Sequence, residues 1–242
     1  MRMWAFAKRN MKEILRDPLN LAFGLGFPVV ILLLLSAIQA NIPVELFKIE
    51  TLAPGVIVFG LSFMTLFSAT LIAKDRGSSF LQRLYATPMR AVDFILGYTL
   101  PILPIALGQC AVSYGVAICL GLQVSINILY AIIFSLPAAV LFIGLGLLFG
   151  SIFNDKQVGG LCGGLLTNLA AWLSGAWFNL ADVGGWFLKI ANALPFIHAV
   201  ELGRNVLAGE MTGVFPHICW VIAYAAVVFA GAVFAFLRQM KK

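Results

Sequence analysis

Six long apolar runs divide this chain, at about residues 19–40, 52–73, 93–120, 128–153, 158–180 and 215–237. Each holds about the 20 apolar residues that a helix needs to cross a bilayer. Polar residues collect between the runs. The pattern therefore predicts an all-α membrane protein of six transmembrane helices. Pro28 and Pro137 fall inside runs, and Pro101 and Pro104 near the start of the third, where kinks are expected. Residues 1–18 follow another rule. Trp4, Ala7, Met11, Ile14 and Leu15 make one stripe of a helix, and Lys8, Arg9, Lys12, Glu13 and Arg16 make the other. Asp17-Pro18 ends it. Such a helix lies flat among headgroups or simply forms a basic flank to the first span. Within 181–214 the apolar pieces at 185–194 and 198–207 are too short to cross. They read as two short helices dipping into the outer interface before the last span, joined at Pro195.

The longest polar interruption is 74–92. Phe80, Leu81, Leu84 and Tyr85 recur at i, i+1, i+4 and i+5, on one face of a short helix. Gly77 is expected to allow the turn into it, and Thr87-Pro88 to end it. This helix either rests on lipid headgroups or docks on a soluble partner. Its apolar face is about two turns long, too short to hold lipid well, and Phe80 and Tyr85 suit a groove.

Composition fixes the class. The chain has 242 residues, 62% hydrophobic and 11% charged, with mean hydropathy +1.00. A soluble domain carries about 25% charge. Residues 1–242 read as one transmembrane domain, without room for a soluble one. The basic balance is spread over loop ends, so nucleic acid is not a partner. Cys110, Cys119, Cys162 and Cys219 lie in apolar runs without metal spacing and read as small buried hydrophobes. The charged start is unlike a cleavable signal peptide. With both termini inside, thirteen of the sixteen Lys/Arg fall on the cytoplasmic side, including Lys74, Arg76, Arg83 and Arg90.

The spans offer little chemistry of their own. Gln39, Gln109, Thr167 and Asn168 are their polar residues of note, without the buried ionisable groups that an ion-coupled carrier needs. No phosphate-binding loop occurs. His198 has Glu201 one turn away, which suits a metal or acid/base pair less well than a structural histidine. No catalytic or metal site is expected. Gly159, Gly160, Gly163 and Gly164 form two overlapping small-residue motifs in the fifth run, for packing within the chain or a dimer seam; Gly146 and Gly150 make another. Phe63, Phe67, Asn168 and Trp172, with Trp177 and Phe178, are candidates for a substrate path, though aromatic residues in spans more often pack or face lipid.

The motif Lys74-Asp75-Arg76-Gly77, Leu81-Gln82-Arg83-Leu84, Ala86-Thr87-Pro88 and Leu96-Gly97 resembles the charged motif after the second span of ABC-2-type transporter permeases. Leu194-Pro195-Phe196-Ile197-His198, Arg204 and Gly209 look like that family's segment before the last span. One departure stands out. Ser79, Phe80 and Gln82 replace the acidic residue usual after the glycine. The resemblance implies the membrane subunit of an ABC exporter, similar to the drug- and antibiotic-export branch, in a bacterial inner membrane. It implies an N-terminal interfacial helix, a coupling helix within 74–92 and a re-entrant extracellular hairpin within 181–214. Asp75, Arg76, Gly77, Phe80, Leu81, Arg83, Leu84, Tyr85 and Pro88 would couple to an ATPase subunit that binds the ATP and Mg. A second permease chain, identical or homologous, would complete the path for an amphipathic or lipid-like substrate. Export of a lipid-linked polysaccharide or teichoic-acid precursor by the same fold is the alternative; a non-transporting membrane protein or channel is another.

Overall fold

The structure, a computed structural model, describes residues 2–42, 44–85 and 89–240. Every regular element among them is helical. Helix α1, Arg2–Leu15, precedes α2, Ala22–Asn41. Helix α3 runs Ile49–Gly77, and α4, Ser79–Tyr85, follows directly. Helix α5 is Val92–Cys119, α6 is Ile126–Ile152, and α7 covers 155–173. Then come α8, Gly185–Ala193, α9, Pro195–Ala208, and α10, Met211–Met240.

Five of the described helices, α2, α3, α5, α6 and α10, are long and apolar enough to cross a membrane. The sixth expected run does form a helix, α7. Lys156, Gln157, Asn168 and four glycines dilute its apolar character, so it does not join those five. The expected kinks appear. A π-helical turn at Ala22–Gly26 precedes Pro28, α5 breaks around Leu100-Pro101, and α6 breaks at Ser135, before Pro137.

Helix α3 is the centre, with 89% of its most apolar window buried against 17% for α2 and α10. A helix apolar all round belongs inside. Small residues let its neighbours approach. Helix α6 sits closest: a Cβ on Gly150 would meet the Ala69 backbone at 2.6 Å, and one on Gly146 would strike Ser68. Two hydroxyls lock the contact. Thr65 Oγ1 donates to the Phe142 carbonyl at 2.9 Å and Ser68 Oγ to that of Ile143 at 3.1 Å. Gly60 is where α2 and α5 converge on α3, since its Cβ would overlap Gln109 and Pro28.

Helix α7 runs antiparallel along α3. Val158 and Cys162 pack with Ala69 and Ala73 near one end. Past its other end, a Cβ on Gly55 would meet Ala176, in the turn that follows α7, at 3.2 Å. Helices α8 and α9 form where the two short apolar pieces stand. Leu194 is extended between them, and Pro195 opens α9 as its first residue.

Three expectations need correction. Gly77 lies in the last turn of α3 without a positive φ, and a Cβ there would meet nothing. The chain turns instead through extended Ser78. Cys119 and Cys219 are exposed rather than buried, because surfaces of membrane helices that face lipid tolerate small apolar side chains. The apolar stripe expected on α1 splits. Ala7 and Ile14 turn inward, while Trp4 and Leu15 stay exposed, and the buried face is Phe6, Ala7, Asn10 and Ile14.

Candidate functional site

The residues of the 74–92 motif assemble where α1, α4 and the start of α5 close over the end of α3. Ser78 makes the joint. Its Oγ donates to the Asp75 carbonyl at 3.0 Å and accepts from the Phe80 N–H at 3.2 Å, so it caps α4.

The expected apolar face of α4 does form, and it turns inward. Leu81 is 3% exposed, and Phe80 and Leu84 are half-buried against the same core. Leu81 thus packs into the chain's own core. Arg83 is exposed on the other side. Tyr85 ends the helix. Pro88, expected to stop it, lies outside the described residues.

Asp75 is the anchor. It is 2% exposed, a charge that water would otherwise solvate. Two donors replace the water: Arg9 Nη1 at 2.7 Å and the Tyr98 hydroxyl at 2.9 Å. Arg9 also pairs with Glu13 at 2.6 Å, and its guanidinium carbon stands 4.4 Å over the Phe80 ring. One arginine on α1 therefore holds the end of α3 and the start of α4 together. Phe6 fills the space behind it, edge-on to Tyr98 at 4.9 Å. Gly97 leaves room for the Phe6 ring, which a Cβ there would strike, and its carbonyl accepts from Asn10 Nδ2 at 2.9 Å.

Arg76 turns the other way. Its Nη1 donates to the carbonyls of Gly150 at 2.8 Å and Phe153 at 3.3 Å, where the ending α6 leaves acceptors open. Beside it a cleft of about 650 Å³ opens between residues 73–78 and 153–156, with exposed Lys74 and Lys156 on its walls. Asn154 and Gln157 form a capping box that starts α7 there.

Arg9, Asn10, Phe6 and Tyr98 were missed as site residues by sequence reasoning. Arg9 reads as one more basic residue on a basic face, and its partner lies 66 residues on. Asn10 did leave a signal, as a polar residue in register with Phe6, Ala7 and Ile14.

The remaining candidates scatter. Phe63 and Phe67 are buried in the core, Phe63 within reach of the Phe23, Phe27 and Phe59 rings, and Phe67 under Gly24. Asn168 and Trp172 lie on the exposed side of α7. Of the four α7 glycines, Gly163 faces Leu66 at 3.2 Å, whereas Gly159, Gly160 and Gly164 meet nothing within 4 Å. The polar span residues are satisfied locally: Gln109 by Ser113, Thr167 by the Cys162 carbonyl, Asn168 by that of Gly164, and Gln39 by the Val44 N–H. His198 does not pair with Glu201, which goes to Arg204 at 2.8 Å. Among the described residues, no group of three or more His, Cys, Asp or Glu could hold a metal.

Residues 1–208 match the ABC-2 type transporter family. Over 165 residues, 66% of this chain, the sequence is 28% identical to ABC transporter G family member 20 of Dictyostelium discoideum. The chain spans 22% of that relative's length. A match across most of the sequence, over helices long and apolar enough to cross a membrane, identifies this multi-pass membrane protein as a member of the ABC-2 type transporter family.

Proposed function

We propose that the chain is the membrane-spanning permease subunit of an ATP-driven ABC exporter, with α4 as its coupling helix. The observation that carries this reading is the seating of α4. Its apolar side is fixed to the chain's own core by Phe80, Leu81 and Leu84, and Arg9 clamps its root to α1. A helix lying loosely on lipid has no need of such an anchor. A lever does, because a push on its outer face must reach the spans.

Its outer face offers the exposed Arg83, a basic landing for an ATPase subunit that supplies ATP and Mg. Thirteen of sixteen Lys/Arg fall on that side when it is cytoplasmic and the chain crosses six times. The course of α7 along α3 supports the sixth crossing, because residues 155–173 make a helix roughly 28 Å long, close to the thickness of a bilayer's hydrocarbon core. Helices α8 and α9 then form the re-entrant outer hairpin. The bare face of α7, with Gly160, Gly164, Asn168 and Trp172, is where a second permease chain and the substrate path meet. Locally satisfied polar groups and apolar walls suit an amphipathic or lipid-like substrate.

A photo-crosslinking amino acid at Arg83 tests the landing in native membranes. The expected product is an adduct with a nucleotide-binding subunit. Adducts with lipid alone would remove the coupling role.

A further inference from the structure

The chain has two histidines, and the coupling reading uses neither. His198 stands on α9 and His217 on α10, with their Nδ1 atoms 2.9 Å apart. Nε2 of His198 lies 2.9 Å from the Asn192 carbonyl oxygen. A carbonyl only accepts, so this Nε2 carries a hydrogen. Neutral His198 then has a bare Nδ1, and the hydrogen on the Nδ1···Nδ1 line belongs to His217. The surroundings hold this geometry. The Trp220 ring lies 9° from parallel to His198, centroids 5.0 Å apart, and the Tyr224 hydroxyl donates to the Ala193 carbonyl at 2.5 Å. Helix α10 thus grips the α8–α9 turn through aromatic stacking, the hydrogen shared by the two imidazoles and the Tyr224 hydroxyl.

We propose that His198 and His217 form a proton-binding site that keeps the α8–α9 turn on α10 with one added proton or none, and releases it with two. The first proton goes to the free Nε2 of His217. The Nδ1–H···Nδ1 bond survives and becomes charge-assisted. The second has only Nδ1 of His198 to occupy. Both nitrogens on the short line then carry hydrogens, no lone pair lies between them, and two like charges face each other. The contact must open.

The charged groups around the pair leave that repulsion standing. On α9, Glu201 attracts His217 across the gap, but its carboxylate is shared with Arg204, whose other donors go to the Thr51 and Gly175 carbonyls. Glu50 on α3 flanks Arg204 across an outer pocket. Helix α8 brings Lys189, a like charge, and Glu210 lies in the turn between α9 and α10. Helix α6 brings the Tyr130 phenol, and α10 itself Tyr224 and the Cys219 thiol. Among the described residues, neither imidazole has a carboxylate within ion-pair distance. With the topology proposed above, the site opens to the outside and external acid is its signal. The release itself does not depend on that topology.

Hydrogen exchange of the full chain in lipid nanodiscs tests the site, at about pH 7.5 and about pH 4.5, below the ordinary histidine range, with the intrinsic pH dependence divided out. In the wild type, amides of residues 189–224 should lose about tenfold protection in acid, the order of a lost hydrogen bond plus repulsion, while α3 keeps its own. His217→Asn and His198→Gln each leave one titrating ring, and either should exchange alike at both pH values. Making both guards against one that misfolds, seen as lost α3 protection at neutral pH. Unchanged wild-type protection in acid overturns the site. So does an equal acid loss in a folded variant, or a wild-type loss that extends through α3.

Discussion

Asp75 shows what one buried charge demands. Its carboxylate keeps two donors, and removing one partner of a buried pair costs more than replacing both with apolar groups. Arg9→Met should therefore lower stability by roughly 2 kcal/mol, below the range for fully buried pairs because the Arg9 side chain is 37% exposed. The double variant Arg9→Met, Asp75→Leu should lose less than Arg9→Met alone. Thermal unfolding in lipid measures both, and a double variant less stable than the single would mean that an uncompensated Asp75 charge is not what destabilises Arg9→Met. The sequence marks Asp75, since it stands in the charged motif. Its partners Arg9 and Tyr98 are not legible there, because periodicity reports which face a residue takes and not what faces it 66 or 23 residues away.

Glycine motifs give the same lesson at the level of helices. Spacing four residues apart puts Gly146 and Gly150 on one face, and equally Gly160 and Gly164. It is silent on what packs against that face. The structure seats α3 on the first pair and leaves the second bare. Gly150→Val forces a side chain into the Ala69 backbone, which cannot yield as a side-chain tip can. A loss of about 3 kcal/mol or more is expected, at the upper end of overpacking costs. Gly160→Ala should be neutral in the isolated chain. Folded yield on size exclusion with melting compares them, and a tolerated Gly150→Val would show that α6 does not sit where its glycines place it. Helix α4 was legible as a helix from its i, i+4 repeat. That its apolar face turns inward was not, since a two-turn stripe looks the same under a partner, a membrane or the chain's own core.

For the whole molecule, hydropathy made the five long spans legible, because length and apolar content are what a bilayer selects. Helix α7 escapes that rule. Its apolar content is diluted by Lys156, Gln157, Asn168 and four glycines, most of them on the side that no other helix covers. Cysteine labelling decides its course. In a background with the four cysteines changed to serine, Asp155→Cys should react only after permeabilisation and Trp186→Cys from outside. Reaction of both from one side would mean that 155–173 does not cross. The reach of Arg76 to the carbonyls of Gly150 and Phe153 has a mechanical consequence. It bolts the foot of α3 to the foot of α6, while the glycine seat above prevents either from sliding past the other. The two move as a single piston, so any alternation between inward and outward states has to be taken up at the perimeter, where α2 and α10 bury little of themselves.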